Sequence, residues 1–160
     1  MADLARGYAI RPIDMPHGYA DPGVCQVSFG KTNPQSNTIS LFTVVGSIQA
    51  TLCGVVSTAL GAVAQHLTIG ITGSAALLAA GSTVALNAQA AGSVIVLPQK
   101  IGAALPAPVV ATGAPSSLVM FECANTIITC TSDASTTGAI TWILHWVGLG
   151  ANQAATVTTN

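Results

Sequence analysis

The chain has 160 residues, a length that suits one domain with a full hydrophobic core. Only 6% of the residues are charged and 51% are hydrophobic, whereas an ordinary globular protein carries roughly 25% charged residues. This composition excludes a disordered chain, which needs low hydrophobicity and high charge. Nucleic-acid binding is not expected either, because four lysines and arginines are too few to form a basic face.

The few charges are concentrated near the N-terminus, in the first 31 residues. Beyond that point the charged side chains are Lys100, Glu122 and Asp133. A free monomer normally displays mixed charges over its surface, whereas the cores of protein interfaces are depleted of charge. The pattern therefore favours burial of the body in an assembly. The alternative is a neutral surface rich in Thr and Ser.

Residues 1–38 are predicted to form an extended, irregular N-terminal arm. Four prolines interrupt this segment, and Asp21-Pro22-Gly23 is typical of a turn. No signal peptide is expected, because the first residues lack an apolar run. Large apolar side chains without a regular period are expected to anchor the arm to neighbouring subunits. These candidate anchors are Tyr8, Ile10, Ile13, Met15 and Tyr19.

Residues 41–64 are apolar enough to be tested as a membrane helix, which needs about 20 apolar residues. The period of this segment is two, however, since Ile48 and Leu52 fall on one face of an extended chain and Gln49 and Thr51 on the other. Alternation of this length indicates a half-buried strand. We therefore expect no membrane association.

Short β-branched segments separated by Gly, Ser and Asn continue to the C-terminus, which is typical of an all-β domain. A bend is predicted near Gly46, a turn at Gly92, a helical turn at 75–80 and a long Pro-rich loop at 98–116. The predicted strands are 39–46, 47–58, 66–72, 83–87, 93–97, 117–123, 126–131, 138–147 and 154–158. The predicted fold is one domain over 39–160, an antiparallel β-sandwich that is jelly-roll-like.

The strand at 138–147 is apolar on both faces, which favours a central strand buried between two layers. Trp142 and Trp146 share one of these faces, and His145 lies on the other. Both tryptophans are candidates for core or subunit contacts, because Trp is enriched at the centres of interfaces.

The sequence offers little for catalysis or metal binding, and we expect no enzyme, metal or cofactor. No CxxC pair occurs. His17, His66 and His145 are expected to be packed or hydrogen-bonded, and Glu122 is a candidate partner of Lys100. Free, buried thiols are expected, with one disulfide as the alternative, for instance between Cys123 and Cys130 across a hairpin. The four cysteines are Cys25, Cys53, Cys123 and Cys130.

Residues 125–149 resemble small structural proteins of tailed bacteriophages. The shared features are a Thr-Ile-x-Thr-Cys strand, a Ser/Thr/Gly turn and the run Thr-Gly-Ala-Ile-Thr-Trp-x-Leu. The resemblance implies a virion protein made in the host cytoplasm, such as a capsid decoration (cement) protein. It also implies a homo-oligomer, with a trimer favoured, bound to the major capsid protein. The alternatives are a tail, neck or fibre component, or a β-sandwich module that binds a host surface or glycan.

Overall fold

The computed structural model describes residues 25–32, 37–82, 85–108, 118–149 and 155–160. These ranges contain strands, turns and irregular segments, so the all-β prediction is confirmed. The strands are β1 (Cys25–Thr32), β2 (Thr38–Thr58), β3 (Leu67–Ile71), β4 (Ser74–Ala79), β5 (Val94–Val96), β6 (Met120–Ser132), β7 (Ala139–Gly148) and β8 (Thr156–Thr159).

β2 is the organising element, a strand of 21 residues with partners on both edges. Along one edge of β2, β6 pairs with the first part of the strand and β5 pairs with Cys53–Val55. Along the opposite edge, β8 pairs with Phe42–Val45 and β7 pairs with the second part of β2. The backbone groups of β2 therefore find hydrogen-bond partners along almost the whole strand, which burial of its side chains requires.

All eight strands join one antiparallel sheet, in which the main order is β1-β7-β2-β6-β3-β4. The sheet curls around a single hydrophobic core that receives side chains from β2 to β7. Because the described strands form one hydrogen-bonded sheet, a two-sheet sandwich or jelly roll is not confirmed. The largest fully buried side chains are Phe42, Leu41, Ile48, Leu52, Leu67, Ile69, Leu86, Ile95, Leu105, Ile128, Ile140 and Leu144.

The predicted bend in β2 is confirmed at Gly46, which has a φ of +82°. Between the pairs Val44–Thr126 and Ser47–Ala124, β2 has one residue more than β6. This is a β-bulge, and glycine is the residue that tolerates its left-handed backbone. Asn125 lies opposite and accepts a hydrogen bond from the Gly46 N–H through Oδ1, at 2.8 Å. Even-numbered residues of β2 stay buried on both sides of the bulge, whereas the buried positions of β6 change from Ile128 and Cys130 to Phe121.

Part of the predicted arm belongs to the sheet. Residues 25–32 form β1, which pairs with β7 from Cys25–Trp146 to Thr32–Ala139. The sequence carries a short signal for this strand, because Cys25, Val27 and Phe29 alternate with Gln26 and other small or polar residues. The candidate anchors Tyr8, Ile10, Ile13, Met15 and Tyr19 lie outside the described residues.

The helical turn predicted at 75–80 is wrong, because these residues form β4 and the adjoining bridge at Ala80. Gly73, with a φ of +84°, makes the tight turn from β3 into β4. Sheet pairing there overrides the helix propensity of Ala and Leu. The strand predicted at 83–87 is also not formed over residues 85–87, and residues 83 and 84 lie outside the described ranges.

The first half of the predicted Pro-rich loop covers an edge of the sheet. The Ala80 N–H donates to the Ala103 carbonyl at 2.9 Å, and the Gly102 N–H donates to the Leu78 carbonyl at 3.2 Å. An uncovered edge strand is a template for aggregation. Residues 100–105 therefore protect the end of β4, whereas residues 109–117 lie outside the described ranges.

We expect alanine substitutions at two glycines of the β3–β4 region to differ sharply in their effect on stability. A Cβ on Gly70 would lie 2.2 Å from the Ser74 carbonyl oxygen, whereas a Cβ on Gly81 would meet only Thr68 Cγ2, at 3.6 Å. We expect Gly70→Ala to lower the free energy of unfolding by about 2–3 kcal/mol, because backbone must move. Gly81→Ala, the matched control, should change it by less than about 1 kcal/mol. Urea unfolding followed by Trp fluorescence measures both, and equal effects would contradict the β3–β4 packing.

Candidate functional site

The outer face of the sheet falls into two parts, and the first is rich in hydroxyl groups. It covers the first half of β2 and the adjacent parts of β6, β3 and β8. The Thr38 and Thr131 hydroxyl oxygens lie 2.7 Å apart, and Thr43 Oγ1 donates to Asn160 Oδ1 at 3.1 Å. We call this part the hydroxyl face; its residues are Thr38, Ser40, Thr43, Thr68, Thr72, Thr129, Thr131 and Thr158.

An open groove of about 370 Å³ lies on the hydroxyl face next to the β2–β6 bulge. Its floor includes the aliphatic side chains of Val45 and Ile127, and Thr43, Thr72 and Asn125 supply polar groups around them. Asn125 has a φ of +45°, a left-handed conformation that Asn tolerates better than most residues. The bulge therefore creates both the groove and its polar wall.

The second part of the outer face is aliphatic and belongs to the second half of β2 and to β5 and β7. Two adjacent rows cross these strands, Val96–Cys53–Ile143 and Val94–Val55–Thr141. Their side chains are partly buried, whereas the alternate residues of the same strands are buried in the core. We call Cys53, Val55, Val94, Val96, Thr141 and Ile143 the aliphatic patch.

The next row of this face carries Met120, Thr51 and His145. Met120 is 63% exposed, the most exposed large hydrophobic side chain among those described. A smaller groove of about 240 Å³ runs along this row between β2, β6 and β7. In the row after Thr51, Glu122 of β6 lies opposite Gln49 of β2. Its carboxylate is two rows away from the aliphatic patch.

His66 and Asp133, which the sequence analysis did not bring together, form a hydrogen-bonded pair. His66 Nδ1 lies 2.7 Å from Asp133 Oδ2, and the His66 backbone N–H donates to Asp133 Oδ1 at 2.7 Å. One residue earlier on each segment, the Ser132 hydroxyl donates to the buried Gln65 Oε1 at 3.3 Å. Together these contacts fasten the start of β3 to the end of β6, and the pairing of β3 with β6 explains why they meet.

The pKa of Asp133 is lowered from the usual 3.8, first because the His66 backbone N–H donates to the carboxylate and then because the His66 ring lies beside it. The Asp133 side chain is 55% exposed, so solvent screens this interaction. A carboxyl group with a lower pKa in the folded state stabilises the fold above its unfolded pKa. That contribution is lost as the pH falls through the folded value.

Cys53, Cys123 and Cys130 are free thiols, as the sequence predicted, and the alternative of a Cys123–Cys130 disulfide across a hairpin is wrong. Both lie on β6, which is one strand where the sequence predicted two. Burial raises the pKa of Cys130 to about 12 and that of Cys123 to about 11, and it also raises the pKa of Cys53. Because the thiolate is the reactive form, these side chains are poor nucleophiles at neutral pH.

The two tryptophans lie on the inner face of β7, as their alternation predicted. Trp142 is 3% exposed, and its ring packs over Gly54, where a Cβ would lie 3.0 Å from Cζ3. Trp146 is partly buried against the core, and its Nε1 is buried without a hydrogen-bond partner among the described residues. Glu122 and Lys100 are both exposed, and the described residues show no ion pair between them.

The His66–Asp133 pair predicts a specific acid response. Asp133→Asn removes the charge, so the wild-type chain should be modestly more stable than this variant near neutral pH. That advantage should disappear as the pH falls below 3.8, the usual aspartate value. Glu122→Gln is the control, because it removes an exposed carboxylate that has no side-chain partner among the described residues. Urea midpoints at several pH values measure both, and an advantage over Asp133→Asn that stays undiminished as the pH falls well below 3.8 would contradict the assignment.

Comparisons with protein-family models, curated protein sequences and solved structures gave no match to this chain. Within the described ranges, no helix is long and apolar enough to cross a bilayer. The same ranges contain no cluster of three or more His, Cys, Asp or Glu side chains placed to hold a metal ion. The candidate functional surface is the outer face of the sheet, whose hydroxyl face and aliphatic patch carry no charged side chain.

Proposed function

We propose that the chain is a non-enzymatic structural protein of a tailed-phage virion, in which it assembles as a homo-oligomer and decorates the capsid shell. The observation that carries this proposal is the lack of charged side chains on the hydroxyl face and the aliphatic patch of the sheet. On β2, every outward residue from Thr38 to Ser57 is uncharged. A trimer is the favoured assembly, and the resemblance of residues 125–149 to phage structural proteins supports the virion setting.

A neutral sheet face suits repeated protein contacts. Interface cores are depleted of charge, because each buried charge needs a partner to offset its desolvation. A protein that meets identical neighbours on a symmetric shell also gains from multivalency, since several weak contacts act together. Hydroxyl and aliphatic side chains carry no charge that would need a partner, and the rigid β-sheet holds them in fixed rows for repeated contacts.

The N-terminal segment supplies the attachment in this proposal. Its apolar side chains, Tyr8, Ile10, Ile13, Met15 and Tyr19, would contact the major capsid protein or neighbouring copies. The strand that follows this segment, β1, pairs with β7 at one side of the sheet. A jelly-roll-like closure of the assembled protein belongs to the same proposal.

A tail, neck or fibre position in the virion is the alternative within the same class. A second function, binding of a neutral glycan on a host surface, is favoured by one observation, the groove beside Asn125. Hydroxyl and amide groups next to an aliphatic floor are suited to a sugar ring. Binding of the recombinant chain on a glycan array, lost in Asn125→Ala, would favour this function over the structural one.

Oligomerisation and presence in particles test the main proposal together. Multi-angle light scattering should give a mass near three times the chain mass of 15.9 kDa. An antibody raised against the recombinant chain should label purified virions of the phage that encodes it. A monomer at every concentration would contradict the oligomer, and unlabelled virions would contradict the virion role.

The arm predicts a loss of attachment without a loss of folding. The variant Tyr8→Ala, Ile10→Ala, Ile13→Ala should lower binding to purified shells at least about tenfold, because anchor side chains dominate interface energies. The matched control truncates exposed apolar residues of the body, as Val63→Ala, Ile101→Ala, Leu118→Ala. Co-sedimentation with shells measures binding and circular dichroism measures folding. Equal binding by both variants would contradict the anchoring role.

A further inference from the structure

We infer that the aliphatic patch is the contact between copies of this chain, and that a neighbouring copy supplies the second layer that the described residues do not place over it. This inference rests on the proposed homo-oligomer and assigns the face that forms it. The patch consists of Cys53, Val55, Val94, Val96, Thr141 and Ile143, in two adjacent rows across β5, β2 and β7.

β7 is apolar on both faces, and the described residues cover only one of them. Ile140, Trp142 and Leu144 are buried in the chain's own core. On the opposite face, Ile143 and Val147 are only partly buried. Strands with apolar residues on both faces are typical of sheets covered by two layers. The hydrophobic core is one of these layers, and the described residues place no second layer over the outer face.

β2 and β5 show the same two-sided pattern beside β7. Leu52 and Val56 are buried on the inner face of β2, whereas Val55 is partly buried on its outer face. In β5, Ile95 is buried and its neighbours Val94 and Val96 are partly buried. Three adjacent strands therefore place β-branched side chains on one continuous outer surface, which is the composition of a sheet-packing face.

The lack of charge on the patch favours a second copy of this chain as the occupant. The patch carries no charged side chain, and Glu122 of β6 lies two rows away on the same face. A basic or acidic partner finds no complementary charge there, whereas two identical neutral faces meet without like-charge repulsion. Identical neutral faces can therefore meet around a symmetry axis, as the contacts of a homo-oligomer do.

The dimensions of the patch suit packing of sheet on sheet. Neighbouring strands are about 4.8 Å apart, and alternate residues along a strand are about 6.8 Å apart. Facing sheets pack about 10 Å apart through interdigitated side chains. Six residues are too few for a stable interface, which buries about 800 Å² per partner. The patch is therefore the centre of the contact, and the row of Thr51, Met120 and His145 forms part of its rim.

Lysine substitutions on the two parts of the outer face test the assignment. Ile143→Lys places a charge in the patch, and Thr129→Lys places the same charge at a partly buried outward position on the hydroxyl face. Light scattering should show a 15.9 kDa monomer for Ile143→Lys and the wild-type oligomer for Thr129→Lys. Circular dichroism checks that both are folded. A folded Ile143→Lys variant with the wild-type mass would overturn the assignment.

A milder variant keeps the test decisive if the lysine prevents folding. Ile143→Thr retains a β-branched side chain and should raise the dissociation constant by about tenfold, because a central contact is lost. Alkylation of Cys53 by iodoacetamide, quantified by peptide mass spectrometry, should be slow in the oligomer and faster after dilution. An unchanged dissociation constant, or alkylation that does not depend on concentration, would overturn the assignment. Either result would leave the homo-oligomer standing, whereas a monomeric wild-type chain would overturn that too.

Discussion

The structure depends on the pairing of β2 along both of its edges. β6 and β5 lie on one side of this strand, and β8 and β7 lie on the other. Because β2 is 21 residues long, it pairs with four other strands and sets the register of both halves of the sheet. The inner side chains on both sides of the Gly46 bulge point into one core.

The two halves of β2 carry different side chains on the outer face of the sheet. Before the bulge, the outward positions carry mostly hydroxyl groups, and after Gln49 they become increasingly aliphatic. Neither part contains the paired acids, bases or metal ligands that define most catalytic sites, within the residues that the structure describes. A neutral, rigid and two-part surface is suited to contacts with other proteins, and this supports the proposed structural role. The His66–Asp133 pair fits the same account as a local fastening between β3 and the end of β6.

Much of the fold follows from the sequence, because period-two alternation is a strong signal in long strands. The alternation of Ile48 with Gln49 predicted the strand character and the inner face of β2, and Gly46 predicted its bend. Ala75 and Leu77 misled the prediction, because their helix propensity is weaker than the pairing that Gly73 makes possible. Asn125 in a left-handed conformation allows β6 to continue where the sequence indicated two strands.

The candidate surface could be predicted only in part. Composition indicated a neutral surface, and the two-sided pattern of 138–147 indicated a second covering layer. The rows that form the aliphatic patch depend on the register of β2 with β5 and β7, which local sequence does not determine. The meeting of His66 with Asp133 likewise depends on the pairing of β3 with β6.

The central claim is that copies associate through neutral, apolar faces, and the salt dependence of association tests it most directly. Sedimentation equilibrium would give the association constant in low and high sodium chloride and in sodium sulfate. Our account predicts no weakening with sodium chloride, because there are few charge pairs to screen, and strengthening with sulfate, which favours apolar burial. Association that weakens steeply with added sodium chloride would show that charge pairs hold the copies together, and would contradict this account.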